Sequence, residues 1–223
     1  MFFYKFPGFI PQEMGKLSKL ESLDLELNRL GGPIPAWIFN ISTIQFLSLS
    51  ANSFFGSLPP NMCHVLKNLQ GLYLAGNYLS GNIPMSISNC SRLTIITLLS
   101  NEFTGSIPDS LGNLRQLNVL QLSDNKLTSE SSSQELSLFS SLANCMLLRH
   151  ISLERNPLNG VLPNSLGNLS SSIEIIYAVG SGIRGSIPGS IGNLSNLIAL
   201  RLDNNQLTGS IPTSVKGLGK LQG

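Results

Sequence analysis

The chain has 223 residues and a formal net charge of +2, and only 12% of its residues are charged. Such a weak charge excludes the dense basic surface with which nucleic-acid-binding proteins neutralise phosphates. No apolar run approaches the roughly 18 residues that a membrane-spanning helix needs, so this segment is not expected to insert into a membrane. The function must therefore be sought in the motifs of the chain.

One short pattern recurs along the chain, and its most regular residue is an asparagine. Successive copies lie 24 or 25 residues apart, except for one interval of 31. In seven of the eight copies a glycine follows four residues after this marker, and a proline follows three residues later. The marker positions are Asn28, Asn52, Asn77, Asn101, Asn125, Asn156, Ser181 and Asn205.

Repeats of this length predict an α/β solenoid, because one copy cannot bury its leucines alone and must stack on its neighbours. Leucines at strand-like spacing precede each marker, and they predict one short strand per copy in a parallel, concave sheet. The marker amide is expected to bond to backbone groups that are otherwise buried without partners. Ser181 is too short for all of these bonds, so its coil is expected to be the least stable.

The full pattern, L-x-x-L-x-L-x-x-N-x-L-x-G-x-I-P, resembles the leucine-rich repeat, and its second half resembles the plant-specific variety. We expect a single array over residues 1–223 with about eight full coils, truncated at both ends because neither end carries a polar cap. Residues 8–11 are in frame with the glycine and proline of the first full copy. Lys5 and Pro7 interrupt the apolar start of the chain, which argues against a signal peptide.

The copy marked by Asn125 carries an irregular insertion over residues 129–139. Its glycine and proline are missing, and a serine-rich stretch stands in their place. Leu136, Phe139 and Leu142 follow at a spacing that predicts a short amphipathic helix. Insertions in repeat proteins map to one face, so this segment is a candidate partner surface; the alternative is a tolerated surface bulge.

The serine-rich insertion, followed by L-F-S-S-L-A-N-C, N-S-L-G-N-L-S and G-S-I-P-G-S-I-G-N-L-S-N-L, carries a more specific resemblance. It covers the whole chain and is to the ectodomains of plant leucine-rich-repeat receptor-like serine/threonine kinases, most of all the subfamily that includes receptors for bacterial peptides. The resemblance implies an extracellular segment at the plasma membrane that binds a peptide or protein on its concave face, in immune or developmental signalling.

Members of that family also carry a signal peptide, a paired-cysteine cap, a membrane helix and a cytoplasmic kinase, so kinase activity is implied for a parent protein and not for these residues. A co-receptor kinase ectodomain is a further partner that the resemblance implies. The alternative function is that of a secreted inhibitor resembling the polygalacturonase-inhibiting proteins, which use the same repeat to block an enzyme.

Four sequons of the type N-x-S are candidate N-glycosylation sites. Each asparagine lies twelve residues after its marker, which places all four on one flank of the solenoid and leaves the opposite flank for partners. The alternative is that asparagine is simply common in this turn. The four asparagines are Asn40, Asn89, Asn168 and Asn193.

Cys90 and Cys145 occupy a slot that leucine or isoleucine fills in other copies, so both are expected to be small buried hydrophobic residues. They lie two coils apart, roughly 10 Å, which is too far for a disulfide bond. Cys63 next to His64 does not make a metal site, and the odd number of cysteines fits a segment without its disulfide caps.

No catalytic residue, cofactor or metal ion is expected in this chain. It has only two histidines and no glycine-rich phosphate loop with a lysine, and its few carboxylates are expected to be solvated surface charges.

Two clusters of variable residues on the concave face are candidate ligand-binding sites, because exposed apolar side chains on a sheet face suit a protein or peptide partner. The alternative is that these side chains merely cover the sheet. The first cluster has an apolar centre and a charged rim, and comprises Tyr177, Val179, His150, Glu154, Arg201 and Asp203. The second is apolar throughout and comprises Phe46, Tyr73, Ile95 and Leu99.

Overall fold

Each repeat contributes one three-residue strand to a long parallel sheet. The structure is a computed structural model that describes residues 8–129 and 135–222. Within these residues eight strands pair in chain order, all in parallel, which confirms the predicted solenoid with one strand per copy. With all strands numbered along the chain, the long sheet comprises β1 (Ser22–Asp24), β3 (Phe46–Ser48), β5 (Gly71–Tyr73), β7 (Ile95–Thr97), β9 (Val119–Gln121), β11 (His150–Ser152), β12 (Ile175–Tyr177) and β14 (Ala199–Arg201).

The leucines before each marker form a continuous core along the array. Leu49, Leu74 and Leu98 have no solvent exposure, and Leu25 in the first copy is half-buried. Full burial of a leucine side chain contributes about 1.5–3 kcal/mol to stability. Each coil covers the apolar side of its neighbour, so this row of side chains provides much of the stabilisation of the array.

The marker asparagines connect the backbones of adjacent coils. The Asn77 side-chain nitrogen donates to the carbonyl oxygens of Leu74 and Ala75 in its own coil and of Leu49 in the preceding coil, at 3.1–3.3 Å. Its side-chain oxygen accepts a hydrogen bond from the Phe54 N–H at 3.0 Å. The expected role of the marker is confirmed, since one buried amide satisfies four backbone groups.

Ser181 reproduces only part of this arrangement. Its hydroxyl donates to the carbonyl oxygens of Leu153 and Val179, at 3.0 and 3.3 Å. It does not accept from the Leu158 N–H, which donates instead to the Asn156 carbonyl oxygen at 2.8 Å. The shorter side chain thus loses one bond between coils, and the low stability of this coil stays a prediction.

A second parallel sheet, which the sequence analysis did not anticipate, forms from the G-x-I-P half of the repeat. It has five strands and ends where the insertion begins. Its strands are β2 (Gly31–Pro33), β4 (Ser53–Ser57), β6 (Tyr78–Asn82), β8 (Glu102–Ser106) and β10 (Lys126–Thr128). Beyond the insertion the pairing continues as isolated bridges from Glu135 to Val161 and from Val161 to Arg184, and as the two-residue strands β13 (Arg184–Gly185) and β15 (Gln206–Leu207).

Short 3-10 helices connect the second sheet back to the long sheet. A proline precedes each five-residue helix and accepts a bond from the N–H three residues later, as in Ile38 to Pro35 at 3.1 Å. Proline suits this position because its fixed φ starts the helix and its own N–H is not needed. The helices are Gln12–Lys16, Ala36–Asn40, Met62–His64, Met85–Asn89, Asp109–Asn113, Asn164–Asn168, Gly189–Asn193 and Thr213–Gly217.

The insertion replaces one 3-10 helix by an α-helix, α1 (Ser137–Leu142). Leu136, Phe139 and Leu142 are all buried, as the spacing predicts. Residues 130–134 of the predicted insertion lie outside the described residues, as do residues 1–7. Gly112 allows α1 to pack closely, because a Cβ atom at Gly112 would lie 2.3 Å from the Ser141 carbonyl oxygen.

Cys90 is buried as predicted, but the expectation that it acts only as a small hydrophobic residue is wrong, because Cys63 and Cys90 form a disulfide bond with a Cα–Cα distance of 5.2 Å. One extra residue in the copy of Asn52 leaves a 3-10 helix of only three residues, Met62–His64, and places Cys63 beside Cys90 of the next coil. Cys145 is free and buried as predicted. Burial raises the pKa of the Cys145 thiol to about 11.

Candidate functional site

The structure brings three residues of the first predicted cluster into direct contact on the solvent-facing side of the long sheet, opposite the core. Tyr177 and Arg201 are register partners on β12 and β14, and His150 lies on β11 beside them. The His150 and Tyr177 rings meet edge to face with centroids 5.8 Å apart. The Arg201 guanidinium carbon lies 5.5 Å from the centre of the Tyr177 ring, within the range of a cation–π contact.

The other three residues of this cluster surround the stack without contacting it in the same way. Val179 and Glu154 are half-buried, and Asp203 is exposed. The Glu154 side chain accepts a long hydrogen bond of 3.5 Å from the Ser152 hydroxyl. Asp203 accepts one of 3.3 Å from the side chain of its neighbour Asn204.

The charges at this cluster are not neutralised internally. Ion pairs of the described residues include Arg149–Glu174 and Arg155–Asp124, but none involves Arg201. Burial lowers the pKa of His150, and the nearby Glu154 carboxylate opposes this shift. The His150 Nε2 atom is buried and has no hydrogen-bond partner in the described part of the chain. A histidine ring, a tyrosine ring and a guanidinium without an ion-pair partner among the described residues therefore lie together on this face of the sheet.

The second predicted cluster forms an apolar surface nearer the start of the array. Phe46 is 41% exposed, and Tyr73, Ile95 and Leu99 are half-buried. The Phe46 and Tyr73 rings both lie over Gly71, where a Cβ atom would lie 2.9 Å from the Phe46 ring and 2.6 Å from the Tyr73 ring. The glycine thus leaves room for both rings over the sheet. Its place as the register partner of Phe46, two residues before Tyr73, is a signal in the sequence that could have revealed this role.

Small buried hydroxyl residues of the same face escaped the sequence analysis. Ser123 lies in the copy between the two clusters and Ser152 lies on β11, the strand of His150; their hydroxyl oxygens are 2.5 Å apart. The Ser123 hydroxyl also accepts a bond from the Glu154 N–H at 3.1 Å. Their regular occurrence at the variable positions was visible in the sequence, but burial was expected only of leucines. The full set of such residues is Ser48, Ser50, Thr97, Ser123 and Ser152.

The four sequon asparagines are exposed and occupy the same place in their coils, each as the last residue of a 3-10 helix. The hydroxyls of Ser42, Ser91 and Ser195 are exposed and have no hydrogen-bond partner among the described residues. Ser170 differs, because it is buried and donates to the Met146 carbonyl oxygen at 2.6 Å. Only in the Asn168 sequon does the serine therefore have a clear structural role; glycosylation itself stays a prediction.

Over residues 8–129 and 135–222, no group of three or more His, Cys, Asp or Glu side chains is arranged to hold a metal ion. In the same residues no helix is long and apolar enough to cross a membrane.

Stacked coils, a row of bonded asparagines and parallel sheets define an α/β solenoid of the leucine-rich-repeat class. The Leucine Rich Repeat family model matches residues 19–41, 68–90, 92–114, 147–169 and 196–218, together more than half of the chain. The chain belongs to this family.

Similarity to individual proteins points to plant receptors. The chain is 38% identical over 111 residues to the receptor kinase-like protein Xa21 of Oryza sativa subsp. japonica, which covers 50% of the chain but only 8% of Xa21. The crystal structure of a TDR receptor superposes with a TM-score of 0.88 and 29% identity over 97% of the chain and 36% of that receptor. The Arabidopsis receptor kinase HAESA, in complex with the peptide hormone IDA and the co-receptor SERK1, superposes with a TM-score of 0.82 and 33% identity, over 92% of the chain and 34% of HAESA.

Proposed function

We propose that this chain is the extracellular ligand-recognition segment of a plant receptor-like kinase. A peptide or protein binds in this proposal on the concave face of the array, which is the solvent-facing side of its long sheet. The observation that carries the proposal is the stack of His150, Tyr177 and Arg201. The similarity to HAESA, which was crystallised with a peptide hormone, supports it. Catalysis belongs in this proposal to a kinase domain of the parent protein, and these coils only bind.

The stack is suited to binding because its parts are already in place. Short strands hold the three side chains on a rigid sheet, so little conformational entropy is lost when a ligand arrives. Tyrosine and arginine are the residue types that most often dominate binding energy at interfaces. An unpaired guanidinium beside an aromatic ring favours a ligand that offers an acidic group next to an apolar one.

The second cluster extends the same surface. Tyr73 lies about four strand spacings from Tyr177, or about 19 Å along the sheet, and Phe46 lies about five spacings away, or about 24 Å. A peptide that lies along the array thus reaches both clusters and passes over the small buried hydroxyl residues of the same face. A co-receptor ectodomain, as in the HAESA complex with SERK1, would then contact the bound ligand from the side.

The test begins with selection of peptides from a displayed library against the immobilised full chain, followed by calorimetry with a selected peptide. The double variant Tyr177→Ala with Arg201→Ala is expected to bind at least about tenfold more weakly, since each anchor contributes more than about 1 kcal/mol. Tyr78→Ala, an exposed tyrosine of the second sheet, is the matched control and should bind normally. Unchanged affinity of the double variant would show that the ligand does not use this stack.

A further inference from the structure

The second sheet presents a row of rings to solvent on its outer face. Phe55 on β4 and Tyr78 on β6 are register partners, and Pro33 on β2 is the register partner of Phe55. Phe55 is 53% exposed and Tyr78 is 58% exposed, although Phe54 and Leu79 next to them in sequence are buried. We call Pro33, Phe55 and Tyr78 the aromatic platform. Large exposed rings that adjoin each other on a regular sheet mark a binding surface.

Uncharged polar side chains adjoin the aromatic platform farther along β4 and β6 and on the neighbouring strand β8. Ser57, Asn82 and Thr104 are exposed and Ser80 is half-buried, and their side chains have no hydrogen-bond partner within the described residues. The Asn82 side chain lies over Gly105 of the neighbouring strand, where a Cβ atom would lie 2.5 Å from the side-chain oxygen. These hydroxyl and amide groups are therefore unpaired and free to bond to a ligand.

The charge of this face is balanced within the face. Among the residues of β2, β4, β6, β8 and β10 the charged ones are Glu102 and Lys126, and these two pair with each other at 3.2 Å. Nucleic acids and anionic lipids bind surfaces with a positive field, which this face lacks. Charge complementarity therefore favours a neutral ligand.

We propose that the outer face of the second sheet binds an extended, neutral polysaccharide through the aromatic platform and the adjoining hydroxyl and amide groups. A sugar ring offers an apolar C–H face that packs on an aromatic ring, and hydroxyls that both donate and accept hydrogen bonds. Neighbouring strands are about 4.8 Å apart, close to the advance per ring of an extended pyranose chain. Successive sugars that run across the strands thus meet equivalent positions on successive coils.

Native electrophoresis of the full chain through gels that contain a dissolved polysaccharide tests this proposal. The gels contain hydroxyethyl cellulose, xyloglucan or galactomannan, and we expect at least one of them to retard the protein. The double variant Phe55→Ala with Tyr78→Ala is expected to bind the retarding polymer about tenfold more weakly, because it loses both ring contacts. Asn82→Ala is expected to weaken binding less, since it removes one amide.

Met146→Ala is the matched control, because it removes a large exposed apolar side chain that lies outside the second sheet and outside both clusters of the long sheet. It should bind the polysaccharide normally, and the unfolding temperature of every variant reports whether it has folded. Lack of retardation in all three gels, or equal retardation of the platform double variant and the wild type, would overturn the proposal. A fourth gel contains the anionic polymer polygalacturonate. Retardation in that gel alone, lost when salt is added, would also overturn the proposal, since the positive net charge of the protein would explain the binding.

Discussion

The side chain of Asn77 belongs to one coil by sequence but bonds to the backbone of two. It bonds to three carbonyl oxygens and one N–H group; three of these bonds are buried and the one to Ala75 is partly buried. Asn28 occupies the same place in the first copy, but it is exposed, and its bonds within the described residues go to Leu25 and Glu26 of its own coil. The two residues occupy the same position in the repeat, but Asn77 bonds to more backbone groups than Asn28 does within the described residues.

Replacement of Asn77 by alanine is therefore expected to lower the free energy of unfolding by about 2–4 kcal/mol, because each buried group left unpaired costs about 1–3 kcal/mol. Asn28→Ala is expected to cost less than about 1 kcal/mol, because water replaces its bonds. Urea unfolding monitored by circular dichroism measures both. Equal costs for the two variants would contradict the idea that bonds between coils give the marker its importance.

Among the structural elements, the 3-10 helix Met62–His64 is the shortest of its kind within the described residues. The single added residue that shortens it also brings Cys63 to Cys90, so an irregular coil receives a covalent connection to a regular one. The bond closes a loop with a sequence separation of 27 residues. A crosslink across a loop of that length restricts the unfolded chain and stabilises the fold by about 3–4 kcal/mol in the chain-entropy account.

We expect the double variant Cys63→Ala with Cys90→Ala to lower the free energy of unfolding by about 2–4 kcal/mol in urea without reductant. Adding a thiol reductant should destabilise the wild type and leave the double variant unchanged. Cys145→Ala is the control, because it removes the free buried cysteine and should keep the sensitivity to reductant. A double variant as stable as the wild type would show that the bond contributes nothing.

The elements also show how far sequence reasoning reached. Leucine spacing predicted the long sheet and its core, since alternation on a buried strand is a strong constraint. The second sheet has a weaker sequence pattern. Its strands β4 and β6 bury only one side, and their solvent-facing residues, such as Phe55 and Tyr78, differ from copy to copy. The disulfide bond was not predicted, because the sequence analysis considered only a bond between Cys90 and Cys145. The bond that forms depends on a one-residue shift of Cys63.

The candidate site also has features that the sequence predicts and features that it does not. The variable columns predicted which residues share the outer face, and the stack of His150 and Tyr177 follows from their neighbouring strands. Sequence could not show that Arg201 turns onto the Tyr177 ring while Asp203 stays apart, because rotamers are set by packing between coils. Nor could it show that Ser152 is buried, since small side chains are covered by larger neighbours.

At the scale of the whole molecule, three surfaces have distinct chemistry. The long sheet carries the proposed peptide site, the second sheet carries the proposed polysaccharide site, and the flank with the 3-10 helices carries the four sequons. Glycans on that flank would shield it from other proteins and leave both sheets open. The division follows from the repeat itself, because each position in the coil recurs on the same side of the array.

Glycan occupancy is therefore predicted at the four sequons when the chain is secreted from plant cells. A peptide-N-glycosidase should lower the mass of the protein, and Asn→Gln replacement at Asn40, Asn89, Asn168 or Asn193 should remove one glycan each, as measured by mass spectrometry. Asn113→Gln is the matched control: Asn113 also ends a 3-10 helix, but Arg115 stands where a sequon needs serine or threonine. An unchanged mass after enzyme treatment would contradict the prediction.

The bonded asparagines continue across the insertion without a break. The Asn156 side chain donates to the Leu122 carbonyl oxygen of the preceding coil at 2.9 Å and accepts from the Leu127 N–H at 3.0 Å, as its counterparts do elsewhere. Seven added residues have thus been absorbed outside this connection. Such an architecture lets evolution lengthen one side of a single turn, or exchange the exposed residues of another, while the remaining turns keep their geometry. New specificities then arise by local edits, with no need to redesign the scaffold.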